Sequence, residues 1–131
     1  MEPVAGLDDL RSLLDAPAAA VLVTYRRDGS AAVSPVWFRY TGEAFEVVVA
    51  KSDVKMRHVE RDRRAELMIF ETVAPFRGVR IRAEVELSDT HVDEARRAIA
   101  LRYLGPKAAP AFVAQRGEGV VVRFPVSAAS V

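Results

Sequence analysis

Cysteine is absent from the 131 residues, which excludes disulfides, thiol nucleophiles and thiolate metal sites. Histidine is scarce. His58 and His91 stand far apart without ligand-like spacing, so no zinc site is expected. An excess of one charge is also lacking: 19 Lys and Arg meet 18 Asp and Glu, for a net charge of +1. Nucleic acid is therefore disfavoured as a partner, because gripping a phosphate backbone needs a broad basic face. No apolar run approaches the roughly 20 residues of a membrane span. The first residues show no basic segment followed by a long apolar one, so no leader is expected and a soluble, cytoplasmic protein is the default. A glycine-rich dinucleotide loop, a nucleophile triad, paired catalytic carboxylates and a metal cluster are all missing. No catalytic residue can be assigned from the sequence.

What is present is apolar and patterned. Half of the residues are hydrophobic, enough for one core in one domain spanning 1–131. Leu7, Leu10, Leu13 and Leu14 share one helical face, and Pro17 stops that helix. Ala19 to Tyr25 reads as a buried strand. Asp28-Gly29 is a hairpin turn, because both residues tolerate positive φ. Ala31 to Tyr40 is the returning strand. Pro35 within it marks an edge, a bulge or a close approach of ligand to backbone. Phe45 to Ala50 completes a meander. Ala65 to Glu71 is a fourth strand and Thr72 to Gly78 a loop. Val79 to Leu87 alternates apolar with charged residues, as a half-exposed strand does. A helix from Val92 to Leu104 carries Val92, Ala95, Ile99 and Tyr103 on one stripe and ends at Gly105-Pro106. Ala108 to Gln115 adds one or two helical turns. Gly119 to Pro125 is the last strand. The result is a mainly β fold with short helices: six antiparallel strands in a small closed or split barrel.

Lys51 to Arg64 is the stretch richest in chemistry. It holds six basic residues (Lys51, Lys55, Arg57, Arg61, Arg63, Arg64) and three acidic ones (Asp53, Glu60, Asp62). Ser52 or Asp53 can cap a helix running from about Val54 to Arg61. A strand end, a hydroxyl, a helix N-terminus and a lysine one turn in would suit an anion. A solvated basic helix is the plain alternative.

Four segments, in order, resemble the pyridoxamine-phosphate-oxidase-like split β-barrel family. They are Thr24-Tyr-Arg-Arg-Asp-Gly-Ser30, Ser34-Pro-Val-Trp-Phe38, Lys51-Ser-Asp-Val-Lys55 and Val79-Arg-Ile-Arg-Ala-Glu-Val-Glu-Leu87. The branch most resembled uses the deazaflavin coenzyme F420. The resemblance implies a homodimer of FMN-binding split-barrel type with cofactor sites at the subunit interface. It implies that Ser52 and Lys55 hold the cofactor phosphate, with Lys51 and Arg57 in support. Pro35, Val36 and Trp37 would lie along the ring, and Pro75-Phe76 would approach from near the interface. Ala83 stands where relatives often have glycine.

The implied activity is hydride transfer from the reduced deazaflavin to a small conjugated molecule. The alternatives are an FMN-dependent oxidase or reductase, and a flavin- or deazaflavin-binding protein without turnover. Because the deazaflavin carries an oligoglutamate tail, the basic stretch together with Arg26 and Arg27 favours it over FMN. Apart from the family, Trp37 reads as core or interface and His58 as a surface helix residue. Arg80 and Arg82 read as partners of Glu84 and Glu86 or of a neighbouring strand.

Overall fold

The computed structural model of the chain describes residues 6–131. A single 3₁₀ turn, Asp8–Leu10, leads into α1 (Arg11–Asp15). Leu7, Leu10, Leu13 and Leu14 are all buried, so the leucine stripe docks this helix as its spacing requires. The carbonyls at its C-terminal end are not left bare. Arg102 donates to Leu14 O at 3.0 Å and to Ala16 O at 2.5 Å while its guanidinium lies over the Phe38 ring.

Two antiparallel sheets follow. The chain forms β1 (Ala19–Tyr25), β2 (Ala31–Val36), β3 (Arg39–Tyr40) and β4 (Ala44–Ala50). After α2 (Val54–Arg61) come β5 (Arg64–Phe70), β6 (Gly78–Glu84) and β7 (Glu86–Ser88). Then follow α3 (Val92–Ala114), β8 (Gly119–Pro125) and the short β9 (Ala129–Ser130). One sheet has the order β2-β1-β5-β6-β9 and the other β3-β4-β8-β7. The six strands read from the sequence are all here, and β9 is an addition. Two of them are split. The strand expected over 31–40 changes sheet at Trp37-Phe38, and the one over 79–87 changes sheet at Val85. These two crossings divide the barrel into its halves. Their inward residues, Phe38 and Val85, are buried. Among the described residues β2 has a single neighbour, so Pro35, which cannot donate a ladder bond, is tolerated there.

Between the sheets lies a core of Phe38, Phe45, Phe124, Leu22, Leu67, Ile69 and Ile81 among others. α2 bridges the end of β4 to the start of β5 and seats Met56, His58 and Val59 inward. His58 departs from its expected surface position. It is 8% exposed, and its Nδ1 lies 2.9 Å from Oγ1 of the buried Thr24 on β1. A polar pair is accepted in an apolar interior because each group satisfies the other. No helix of the described residues is long and apolar enough to cross a membrane.

Candidate functional site

The turn after β4 builds one wall of a cup. Asp53, rather than Ser52, caps α2: its Oδ1 accepts the Lys55 backbone N–H at 2.9 Å. Lys55 then folds back, and its Nζ donates to Asp53 Oδ2 at 2.7 Å. Burial alone would raise the Asp53 pKa, but the two hydrogen bonds from Lys55 outweigh it and hold the carboxyl below its usual range.

The opposite wall comes from α3. This helix bends at Gly105, whose φ of 79° and ψ of 173° are not helical. Glycine takes that conformation without Cβ strain, and Pro106 suits the first turn of the resumed helix. The bend sends the second half of α3 across the end of β2. Trp37 stacks on Tyr103 at 4.9 Å and 8°, and meets Phe112 at 5.0 Å with a 38° tilt. Arg116 lies over the Phe112 ring, 3.9 Å from its centroid. Arg96, 9% exposed, donates from Nη1 to Gly117 O at 2.9 Å. Gly119 permits this, because a Cβ there would lie 2.3 Å from Arg96 Nη2.

Between these walls is a cavity of about 220 Å³ lined by Pro35, Val36, Trp37, Val48, Val49, Ala50, Asp53, Lys55, Arg96, Ile99, Phe112 and Arg116. Three cations and one carboxylate thus meet an apolar wall. Pro35, Val36, Trp37 and Phe112 also line a second, larger depression of about 930 Å³ on their other side. That groove is mainly apolar, from Ala18 and the start of β1 to Phe70 and Val73 on and beyond β5, with Glu71 and Thr72 also in its lining. Tyr103 stands at its floor with its hydroxyl donated to Ala18 O at 2.8 Å. Past Arg96 a third depression is lined by Asp89, Asp93, Glu94 and Glu118 against Lys51 and His91.

The residues singled out in the sequence divide between these places. Lys55, Pro35, Val36 and Trp37 come together in the cup. Ser52 is exposed and lines none of the three depressions. Lys51 sits in the acidic one, 3.6 Å from Glu118. Arg57 is exposed on the outer face of α2, away from Lys55. Pro75 and Phe76 line neither the cup nor the groove, and Phe76 is 68% exposed; Thr72 and Val73 of the same loop do reach the groove. Arg26 is spent on its own hairpin, donating to Ala31 O at 2.7 Å. Arg80 and Arg82 pair with Glu66 of the neighbouring strand, not with Glu84 and Glu86. Arg96 and Arg116 are the site residues the sequence reading missed. Arg96 carries a signal in hindsight: it falls within the apolar stripe of α3, four residues after Val92 and three before Ile99.

The family model described as Pyridoxamine 5'-phosphate oxidase matches residues 7–124. The chain belongs to this family. Among solved structures it is similar to an F420 reductase, with 25% identity, coverage of 92% of this chain and 94% of that one, and a TM-score of 0.75. A putative pyridoxamine 5'-phosphate oxidase from Listeria innocua shares the fold at 17% identity, covering 89% and 90% of the two chains, with a TM-score of 0.67. So does HutZ, a heme storage protein from Vibrio cholerae, at 13% identity, 95% and 90% coverage and a TM-score of 0.69. No curated protein matches the sequence. The membership accounts for the split of the strands at Trp37-Phe38 and Val85, which makes the two half-barrels of the family fold.

Proposed function

We propose that the protein binds a phosphate-bearing flavin-type cofactor, the deazaflavin F420 before FMN, and passes hydride from it to a small conjugated molecule. The observation that carries this reading is the cup itself: Lys55, Arg96 and Arg116 beside an apolar wall of Pro35, Val36 and Trp37. The donor set fits the group. Guanidinium and ammonium groups match phosphate oxygens in charge and geometry, and the lack of a Cβ at Gly119 leaves room for the Arg96 fork. A flat apolar ring fits the continuation of the wall into the larger groove. When bound, the cofactor supplies the hydride chemistry. The chain's own part is to hold the phosphate, set the ring against the end of β2 and keep water from the apolar groove. The similarity to an F420 reductase supports the deazaflavin over FMN.

The site would be completed in a cytoplasmic homodimer, where a second chain covers the open groove. A haem-binding reading, raised by the likeness to HutZ, finds less support. Neither the cup nor the groove is lined by histidine, cysteine or methionine, and Tyr103, which lines the groove, has its hydroxyl donated to Ala18 O.

The test is an equilibrium titration of the purified protein with F420 and with FMN, followed by a turnover screen. Reduced deazaflavin is supplied with conjugated enones or nitro compounds, and its reoxidation is followed by absorbance. Saturable binding of F420 with acceptor-dependent reoxidation supports the enzyme. Binding without reoxidation for any acceptor points to a cofactor carrier. Tighter binding of FMN than of F420 would overturn the cofactor choice.

A further inference from the structure

The cup contains more positive charge than its best-placed lysine provides. Lys55 and Asp53 form a closed ion pair at 2.7 Å, so together they bring no net charge to a ligand. The net charge comes from Arg96 on α3 and from Arg116 just past its C-terminal end. Among the described residues, neither Arg96 nor Arg116 has a carboxylate within salt-bridge reach. Arg96 is buried with its Nη1 on a backbone carbonyl, and Arg116 rests on an aromatic face. Removing the Arg96 guanidinium from water without a carboxylate is costly, and an anion in the cavity offsets that cost; Arg116 is exposed and adds its positive charge to the lining. On the far side of Arg96 the surface turns acidic, which repels an anion there and confines it to the cup.

We propose that Arg96 and Arg116 form the principal anion-binding pair of this protein, and that they seat a terminal phosphate monoester or a phosphodiester between α3 and the N-terminal turn of α2. The inference rests on the cofactor reading and deepens it by moving the phosphate contacts from the β4–α2 turn to α3. Lys55 then acts as the third cation, released to the ligand as its bond to Asp53 is shared. The small cavity, about 220 Å³, suits a phosphate and its first few attached atoms rather than a whole cofactor. Gly119 acts as a positioning residue: it leaves the space in which the Arg96 guanidinium lies against β8.

Two titrations separate the inference from the cofactor reading. In the first, FMN and riboflavin are compared for binding to the wild type and to the Arg116→Ala, Arg96→Met and Arg97→Ala variants, with F420 and its phosphate-free chromophore as a second pair. Arg97 is exposed on the same helix and controls for general loss of charge. The phosphate-bearing member should lose on the order of ten- to a hundredfold in affinity in the Arg116 and Arg96 variants. The phosphate-free member and the Arg97 variant should change by less than about threefold. Gly119→Ala keeps every charge but displaces the Arg96 guanidinium, and it should lower the same preference while circular dichroism and unfolding show a folded protein.

The second titration uses phenyl phosphate followed by amide NMR. Saturable shifts at Lys55 and at Gly117 to Gly119, lost in Arg116→Ala, support the cup whether or not a flavin binds. If flavin or deazaflavin binds and its phosphate preference is unchanged in the variants, the inference fails while the cofactor reading stands. If phenyl phosphate seats but neither cofactor binds, the reading fails and the cup stands. If phenyl phosphate causes no saturable shift in the wild type, the cup is overturned.

Discussion

Asp53 performs two tasks that conflict. It caps α2, and it neutralises Lys55 at the mouth of the cup. Asn caps a helix about as well as Asp, whereas Ala costs about 0.5–2 kcal/mol. Asp53→Asn should therefore keep the cap, lower the melting temperature only by what the ion pair with Lys55 adds, and tighten phosphate-bearing ligands several-fold, as Lys55 loses its internal partner. Weaker binding in Asp53→Asn, measured by titration, would mean that the carboxylate orients Lys55 rather than competing with the ligand. Protonation is no substitute for the mutation at ordinary pH. Because its pKa in the fold is depressed, the stability this carboxylate adds is present above the usual carboxylate range. It is lost only as pH falls through the lowered value. An acid titration of unfolding should show that loss in the wild type and lack it in Asp53→Asn. His58 and Thr24 teach a related lesson. A histidine on a basic helix looks solvated, yet it faces inward because Met56 and Val59 flank it on the buried arc of α2. Its partner sits on β1, 34 residues earlier, where no local pattern could signal it.

At the scale of elements, α3 decides the site. Its N-terminal half was legible through the apolar stripe from Val92 to Tyr103; Gly105-Pro106, which reads as the end of that helix, is instead a bend within it. What the bend accomplishes was not legible. The direction taken after Gly105 lays Phe112 on Trp37 and brings Arg116 to the cup. Arg96 and Arg116 lie 40 and more residues from Lys55, and their meeting depends on tertiary packing alone. The strand assignments were more legible because alternation is local. β6 shows this best, with Val79 and Ile81 buried and Arg80 and Arg82 exposed. The sheet changes at Trp37-Phe38 and Val85 escaped the same pattern, since a strand that passes from one sheet to another keeps its alternation. The packing of the second half of α3 has a built-in reporter, because Trp37 is the sole tryptophan. Phe112→Ala should red-shift its emission and lower stability by about 0.5–1.5 kcal/mol for the lost ring pair, with further loss from exposed apolar surface. An unchanged emission maximum would show that Phe112 does not cover Trp37 in solution.

At the scale of the whole molecule, the apolar groove beside the cup is large for a surface left open. It runs from Leu13 to Phe112 over the ends of β1, β2 and β5, and it meets the edge strand β2, where Val33 is 62% exposed. Exposed apolar surface of this kind, next to a strand edge without a neighbour, favours burial against another chain. A homodimer is expected. Sedimentation or light scattering at micromolar concentration should give twice the chain mass of 14.4 kDa. A monomer would leave the groove for the cofactor ring and substrate alone.

All three scales meet in the claim that a phosphate-bearing cofactor lies with its phosphate between Lys55, Arg96 and Arg116 and its ring beside Pro35 to Trp37. The most direct measurement is a crystal structure of the protein with F420 bound. The account predicts phosphate density within hydrogen-bond distance of the Arg96 and Arg116 guanidinium groups, with the ring against the end of β2. A cofactor bound elsewhere, or a phosphate held at Ser52 and Arg57 with α3 untouched, would contradict it.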